Sequence, residues 1–169
     1  RFGRQVQGGL WVSREWETLR ALSEAGLPVP RPIARTDDAI LMGYIGDLEL
    51  AAPQLRSVRP DAAQAQDLFD EVVRAIERML SINVIHGDLS AYNLLVWDGR
   101  VTIIDLPQAI DPRTNRHAHA LLERDVTRIS EHFERLGLRS SPDRLATDLW
   151  TAWQFADLVP EELRTGIEM

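Results

Sequence analysis

Apolar residues at positions 12, 16, 19 and 22 recur at the spacing of one helix face and predict a helix from Val12 to about Ala25. Gly26, Pro28 and Pro30 close it, because glycine accepts the left-handed cap and proline cannot continue the ladder. Glu15 falls on the same face as Val12, Leu19 and Leu22, and a carboxylate on an apolar face calls for a partner. Residues 1 to 9 lack periodicity and read as a loop. PRPIART, the acidic turn Asp37-Asp38 and AILMGYIG predict a hairpin whose second strand is buried and ends in glycine. After a connector over residues 47 to 60, Asp61 or a neighbour caps a long helix to about Ile82. Its stripe of Ala65, Leu68, Phe69, Val72, Val73, Ile76, Met79 and Leu80 is core. A second long helix, from about His117 to Leu136, buries Leu121, Leu122, Val126, Ile129 and Phe133, with Asp125 on the same face. Ser141-Pro142 opens another that packs Leu145, Leu149, Trp150 and Trp153, before a short acidic, frayed end.

Between the long helices lies VIHGDLSAYNLLVWDGRVTIIDLPQA, residues 84 to 109, where acids interrupt strand-like runs. Asp98-Gly99 is a strong two-residue hairpin turn, and counting back from it pairs Trp97 with Arg100, Val96 with Val101, Leu94 with Ile103 and Asn93 with Ile104. Asn93 and Asp105 therefore emerge side by side at the open end of one hairpin, with Asp88 in the loop leading into it. A small set of oxygen ligands suits Mg²⁺ or Mn²⁺, which keep waters and share phosphate oxygens with a nucleotide. Asn93 and Asp105 are placed to hold metal, and Asp88 to accept a hydroxyl proton and orient a nucleophile.

Composition narrows the setting. At 169 residues and 44% hydrophobic, the chain builds one core, or one domain and part of a second. A formal net charge of −7 argues against a surface made mainly for nucleic acid or anionic lipid. There is no cysteine, hence no disulfide framework and no thiolate metal site, and a reducing cytoplasm is the plain reading. No apolar run approaches membrane-spanning length, and RFGRQVQGG has no signal-peptide core. All 19 basic residues are arginine.

HGDLSAYNLL is similar to the HxDLSxYNxL of the RIO family of atypical serine/threonine kinases, and IIDLPQA to that family's IIDxPQA or IIDxSQA. The likeness extends outward: WVSREWETLRALSEAGLPVPRPI resembles its helix C and following turn, ILMGYIGD its hinge strand, AAPQL its post-hinge stretch and LLERDVTRISEHFERLG its RDV helix. It covers about Trp11 to Gly137. The resemblance implies an α+β, protein-kinase-like fold, with residues 1–46 a partial N-terminal lobe and residues 47–169 a mainly helical C-terminal lobe carrying the catalytic hairpin. It implies ATP with Mg²⁺ or Mn²⁺, a protein substrate, and by family alone a link to ribosome maturation. It makes Asp88 the catalytic aspartate, Asn93 and Asp105 metal ligands, and Glu15 the helix C acid that pairs with a strand lysine beside the phosphates. Met42, Gly43, Tyr44 and Ile45 become the hinge that meets adenine through backbone groups. Asp125 becomes a buried acid bracing the catalytic loop, and His86 a scaffold residue. Ser90 and Tyr92 serve packing or loop hydrogen bonding. The short interval from Asp105 to His117 leaves no room for a long activation segment.

Two parts of the family pattern are missing. No Gly-rich strand pair precedes the first helix, and the sequence holds no lysine to face Glu15; arginine's planar fork does not reproduce a compact ammonium. A chain that starts inside the N-terminal lobe accounts for both, and a degenerate phosphotransferase is the other explanation. Gly43 stands where the family often has an acid. His117, His119 and His132 read as solvated helix surface. Two further functions remain open: a small-molecule phosphotransferase of the aminoglycoside or choline kinase type, which shares HGDxxxxN and a later aspartate, and a non-catalytic nucleotide-binding module.

Overall fold

The computed structural model describes the backbone of residues 2–158 and the side chains of residues 11–156. Four helices and two antiparallel strand pairs follow in the order α1 (Phe2–Glu24), β1 (Pro32–Arg35), β2 (Ile40–Met42), a 3₁₀ turn (Leu55–Ser57), α2 (Ala62–Ser81), β3 (Leu94–Trp97), β4 (Arg100–Ile103), α3 (Ala118–Glu134) and α4 (Pro142–Leu158). The acidic C-terminal end lies outside the described residues.

α1 ends in a Schellman motif. Gly26 takes φ +70°, its N–H reaches the Ser23 carbonyl at 3.0 Å, and the Leu27 N–H reaches Leu22 at 2.9 Å. The helix starts earlier than its periodicity suggests: residues 2–9, expected as a loop, continue it. An existing helix gains a hydrogen bond for each added residue without a new nucleation cost. That gain outweighs the penalty of about 1 kcal/mol for each interior glycine at positions 3, 8 and 9.

β1 and β2 form the predicted hairpin, with a register irregularity between Pro32 and Ala34. The second strand is only partly buried, against expectation: Ile40 and Met42 pack on the core while Leu41 faces out. A two-stranded sheet has one face to bury, so alternate side chains stay in water.

The cap of α2 is a reciprocal capping box. Asp61 accepts from the Gln64 N–H, and the Gln64 side chain accepts from the Asp61 N–H. The β3–β4 register is the one counted from the turn: Leu94 opposite Ile103, Leu95 opposite Thr102, Val96 opposite Val101, Trp97 opposite Arg100. Asp98 and Gly99 both have positive φ, 48° and 72°, as a tight hairpin turn on right-twisted strands requires. The hairpin is held on both flanks, since the Ile103 N–H reaches Pro28 at 2.7 Å and the Val96 N–H reaches Pro53 at 2.9 Å.

One buried cluster joins Leu19 and Leu22 of α1, the stripe of α2, Leu94 and Ile103 of the hairpin, and Leu122, Ile129 and Phe133 of α3. Phe69 meets Phe133 edge to face at 5.2 Å. Trp150 and Trp153 pack one helical turn apart with ring centroids 4.7 Å apart, as lobe packing. His132 departs from expectation, being buried rather than solvated, because it follows Ile129 by three residues on the inward face of α3. No helix among the described residues is long and apolar enough to cross a membrane.

Candidate active site

The loop from His86 to Asn93 owes its shape to buried polar groups. The His86 Nδ1 accepts the Asp88 N–H at 3.3 Å, which leaves Nε2 as the donor to the Ile104 carbonyl at 3.0 Å. Burial pushes the His86 pKa down, so the ring stays neutral and straps the loop to the end of β4. Asp125 in α3 accepts the Gly87 N–H at 2.8 Å and the Leu89 N–H at 2.9 Å, one on each carboxylate oxygen. Burial raises its pKa to about 6, against the pull of those two N–H groups and of Arg124 and Arg128. Arg124 donates to the Gly87 carbonyl, so both ends of that residue's peptide groups are held from α3. Gly87 itself is required: at φ +79° a Cβ would stand 2.5 Å from the Gln108 carbonyl oxygen.

Asn93 is buried, and its Nδ2 donates to the Asp88 carbonyl at 2.9 Å, which leaves its Oδ1 available to a cation. The Ile104 N–H reaches the Asn93 carbonyl at 3.0 Å, so Asp105 follows at the open end of the hairpin beside Asn93. Asp105 is exposed and holds φ +64°, a left-handed conformation that costs on the order of 1–3 kcal/mol for a non-glycine residue. Glu15 faces this point from α1. Its pKa is raised, first by burial and then by the charge of Asp105, while a hydrogen bond from the Leu106 backbone opposes the rise. Two carboxylates thus face each other, and a cation between them would relieve both. The donor pair of Asp105 and Asn93 Oδ1 is of the kind that suits a hard divalent ion, which takes its remaining ligands from water and phosphate. No cluster of three His, Cys, Asp or Glu side chains fit for an all-protein metal cage occurs among the described residues.

Asp88 carries a partner that sequence reasoning missed. Arg128 Nη1 lies 2.6 Å from Asp88 Oδ1, so one carboxylate oxygen is fixed and the other is left to meet an incoming group. The signal was present, since Arg128 follows Asp125 by three residues and shares its face of α3. Ser90 plays the expected loop role by accepting the Tyr92 N–H at 3.3 Å. Tyr92 does not pack inward: it is 58% exposed, with the Arg56 guanidinium 4.5 Å from its ring centroid.

Asp88, Asn93 and Asp105 line one cleft of about 800 Å³. Met42, Gly43, Tyr44 and Ile45 lie outside it, where the chain leaves β2. There the Gly43 N–H is held by Arg31 at 2.8 Å and the Ile45 carbonyl accepts from Ala52 at 2.9 Å. Neither the Gly43 carbonyl nor the Ile45 N–H has a backbone partner among the described residues.

A family model described as the RIO domain matches residues 2–145. The chain belongs to the RIO family. A RIO-type serine/threonine-protein kinase Rio1 of Thermoplasma acidophilum is 36% identical over 136 residues, covering 80% of this chain and 70% of that protein. The Haloferax volcanii protein of the same name is 34% identical, over 80% of this chain and 46% of its own length. The human serine/threonine-protein kinase RIO1 is 32% identical over 74% of this chain and 22% of its own. By family the chain has a kinase-like α+β fold, and it spans from 22% to 70% of the length of these relatives.

Proposed function

We propose that the chain carries the acceptor and metal-holding part of an ATP-dependent transfer of phosphate to Ser or Thr hydroxyls of a protein. The observation that supports this most is that Asp88, Asn93 and Asp105 line one cleft at the open end of the hairpin, with the second oxygen of Asp88 left open. Asp88 accepts the hydrogen bond of the substrate hydroxyl and takes its proton as the oxygen attacks the γ-phosphorus. The new O–P bond forms as the bond to the β-phosphate oxygen breaks, and ADP leaves. Arg128 orients the Asp88 carboxylate. Asn93 and Asp105 hold the Mg²⁺ or Mn²⁺, which when bound neutralises charge on the phosphates. Glu15, facing that point, has the place of the acid that positions a lysine against the nucleotide. Gly43 and Ile45, with Met42 and Tyr44 flanking, offer a free carbonyl and a free N–H to adenine. In this reading residues 1–46 belong to an N-terminal lobe and residues 47–169 to a C-terminal one, and the protein works in the cytoplasm. A role in ribosome maturation rests on family alone.

The test is transfer of labelled phosphate from Mg-ATP, as autophosphorylation and to serine peptides, by the full-length protein. Asp88→Asn and Asp105→Asn should each lower the rate by roughly 10²–10⁴-fold. Only Asp105→Asn should also weaken Mg²⁺-dependent nucleotide binding. Undiminished transfer in both variants overturns the reading.

A further inference from the structure

Beyond Asp88, Asn93 and Asp105, the charged residues that line the cleft are four arginines and one acid, Glu131. Arg56 and Arg59 lie on and just after the 3₁₀ turn, and Arg128 and Arg135 on α3 and at its end. The turn is fixed to the catalytic loop, with the Arg56 N–H on the Ala91 carbonyl at 3.1 Å. Arg128 is engaged by Asp88, but no carboxylate comes within ion-pairing distance of Arg56, Arg59 or Arg135 among the described residues. Arg56 and Arg59 instead bond to neutral oxygens: Gln54 Oε1 at 2.7 Å, and the carbonyls of Arg56 and Val58 at 3.1 and 3.0 Å. What distinguishes these three is that they are gathered in one cleft beside Asp88. His132 lines the same cleft at 7% exposure, and its buried Nε2 has no hydrogen-bond partner among the described residues. The charges of Arg135 and Arg59 act on that ring and help burial to keep it neutral.

We propose that this arginine-lined part of the cleft binds an acidic peptide segment, whose Asp, Glu or phosphorylated side chains flank the Ser or Thr presented to Asp88. The proposal deepens the kinase reading and rests on it for the acceptor. Guanidinium forks match carboxylate and phosphate oxygens, and three of them without carboxylate partners supply the charge such a segment needs. A single-stranded nucleic acid fits less well. It needs open aromatic faces for stacking, and Tyr92, the exposed ring here, already has Arg56 over its face.

The experiment measures fluorescence anisotropy of two labelled serine peptides, one flanked by Glu and its isosteric partner flanked by Gln. The protein is the full-length wild type without ATP, so that binding is read apart from transfer and Asp88 keeps its hold on Arg128. The Glu peptide should bind about tenfold tighter, equivalent to about 1.4 kcal/mol. Adding Arg59→Gln and Arg135→Gln, both at exposed positions, should reduce the preference to within about twofold, with an unchanged melting temperature. Equal binding of the two peptides, or a preference that survives both substitutions, overturns the proposal. So does an oligonucleotide of equal charge that binds more tightly than the Glu peptide and loses that binding with the two arginines. Transfer by the wild type without the peptide preference overturns this inference alone. The preference without transfer supports it and overturns the kinase reading.

Discussion

At the scale of single residues, two buried groups that brace the His86–Asn93 loop respond to acid in opposite directions. The Asp125 pKa is raised to about 6 from 3.8, so the folded state binds its proton more readily than the unfolded chain does. Its contribution to stability is therefore largest below about pH 4 and declines as pH rises to 6. The His86 pKa is lowered from 6.5, so the unfolded chain binds that proton more readily, and stability is lost as pH falls below 6.5. Carbon-13 titration should find the Asp125 carboxyl near pH 6 and the His86 ring below 6.5. Urea unfolding at stepped pH should show Asp125→Asn losing stability more steeply on acidification than the wild type, because the compensating proton uptake is gone. Gly87→Ala should cost roughly 2 kcal/mol or more, since a Cβ there meets backbone that cannot swing aside; urea midpoints measure it. The sequence could single out Asp88, Asn93, Asp105 and Asp125 because motif spacing and helix face are local properties, and the first three line one cleft. It missed the Asp88–Arg128 pair, whose partners lie forty residues apart and meet only when α3 packs against the loop. The left-handed Asp105 was also illegible, because a positive φ at a residue other than glycine leaves no mark in spacing or periodicity.

At the scale of elements, legibility followed how local the determining contacts are. The β3–β4 register was countable because an Asp-Gly turn admits one pairing. Gly99→Ala should cost on the order of 1–2 kcal/mol from its φ of +72°, although nothing stands within 4 Å of the new Cβ. The outcome separates backbone strain from crowding in a thermal melt. The α2 cap was legible to within a residue for the same reason. Asp61→Ala should lower stability by about 1 kcal/mol, and Asp61→Asn by less, because an amide oxygen still accepts the Gln64 N–H. The start of α1 was not legible. A glycine-bearing stretch without an apolar stripe gives periodicity nothing to detect, and only its continuity with the following turns makes it helical.

Across the whole molecule, α3 does two jobs at once. Its apolar residues Leu122, Val126, Ile129 and Phe133 anchor it in the core, while Asp125, Arg124 and Arg128 grip the His86–Asn93 loop from the same helix. Phe133→Ala should therefore cost about 3–5 kcal/mol in stability. It should also loosen the loop, which amide exchange at Gly87 and Leu89 would register ahead of global unfolding. Periodicity predicted the buried stripe, and motif spacing the polar set. That one helix couples them emerges only once both are seen in three dimensions.

Ile85 and Ile110 exchange both backbone hydrogen bonds, at 3.0 and 2.9 Å, and so tie the entry of the His86–Asn93 loop to the exit of the segment after Asp105. The chain from 85 to 110 is thereby a loop closed at its base, with the tight turn at its far end and Asp88, Asn93 and Asp105 lining one cleft. Such a closed loop is transplantable as a unit. A chimera exchanging residues 85–110 whole between family members preserves the spacing of Asp88, Asn93 and Asp105, whereas one that cuts between the two loops inherits two halves whose geometry was never set together.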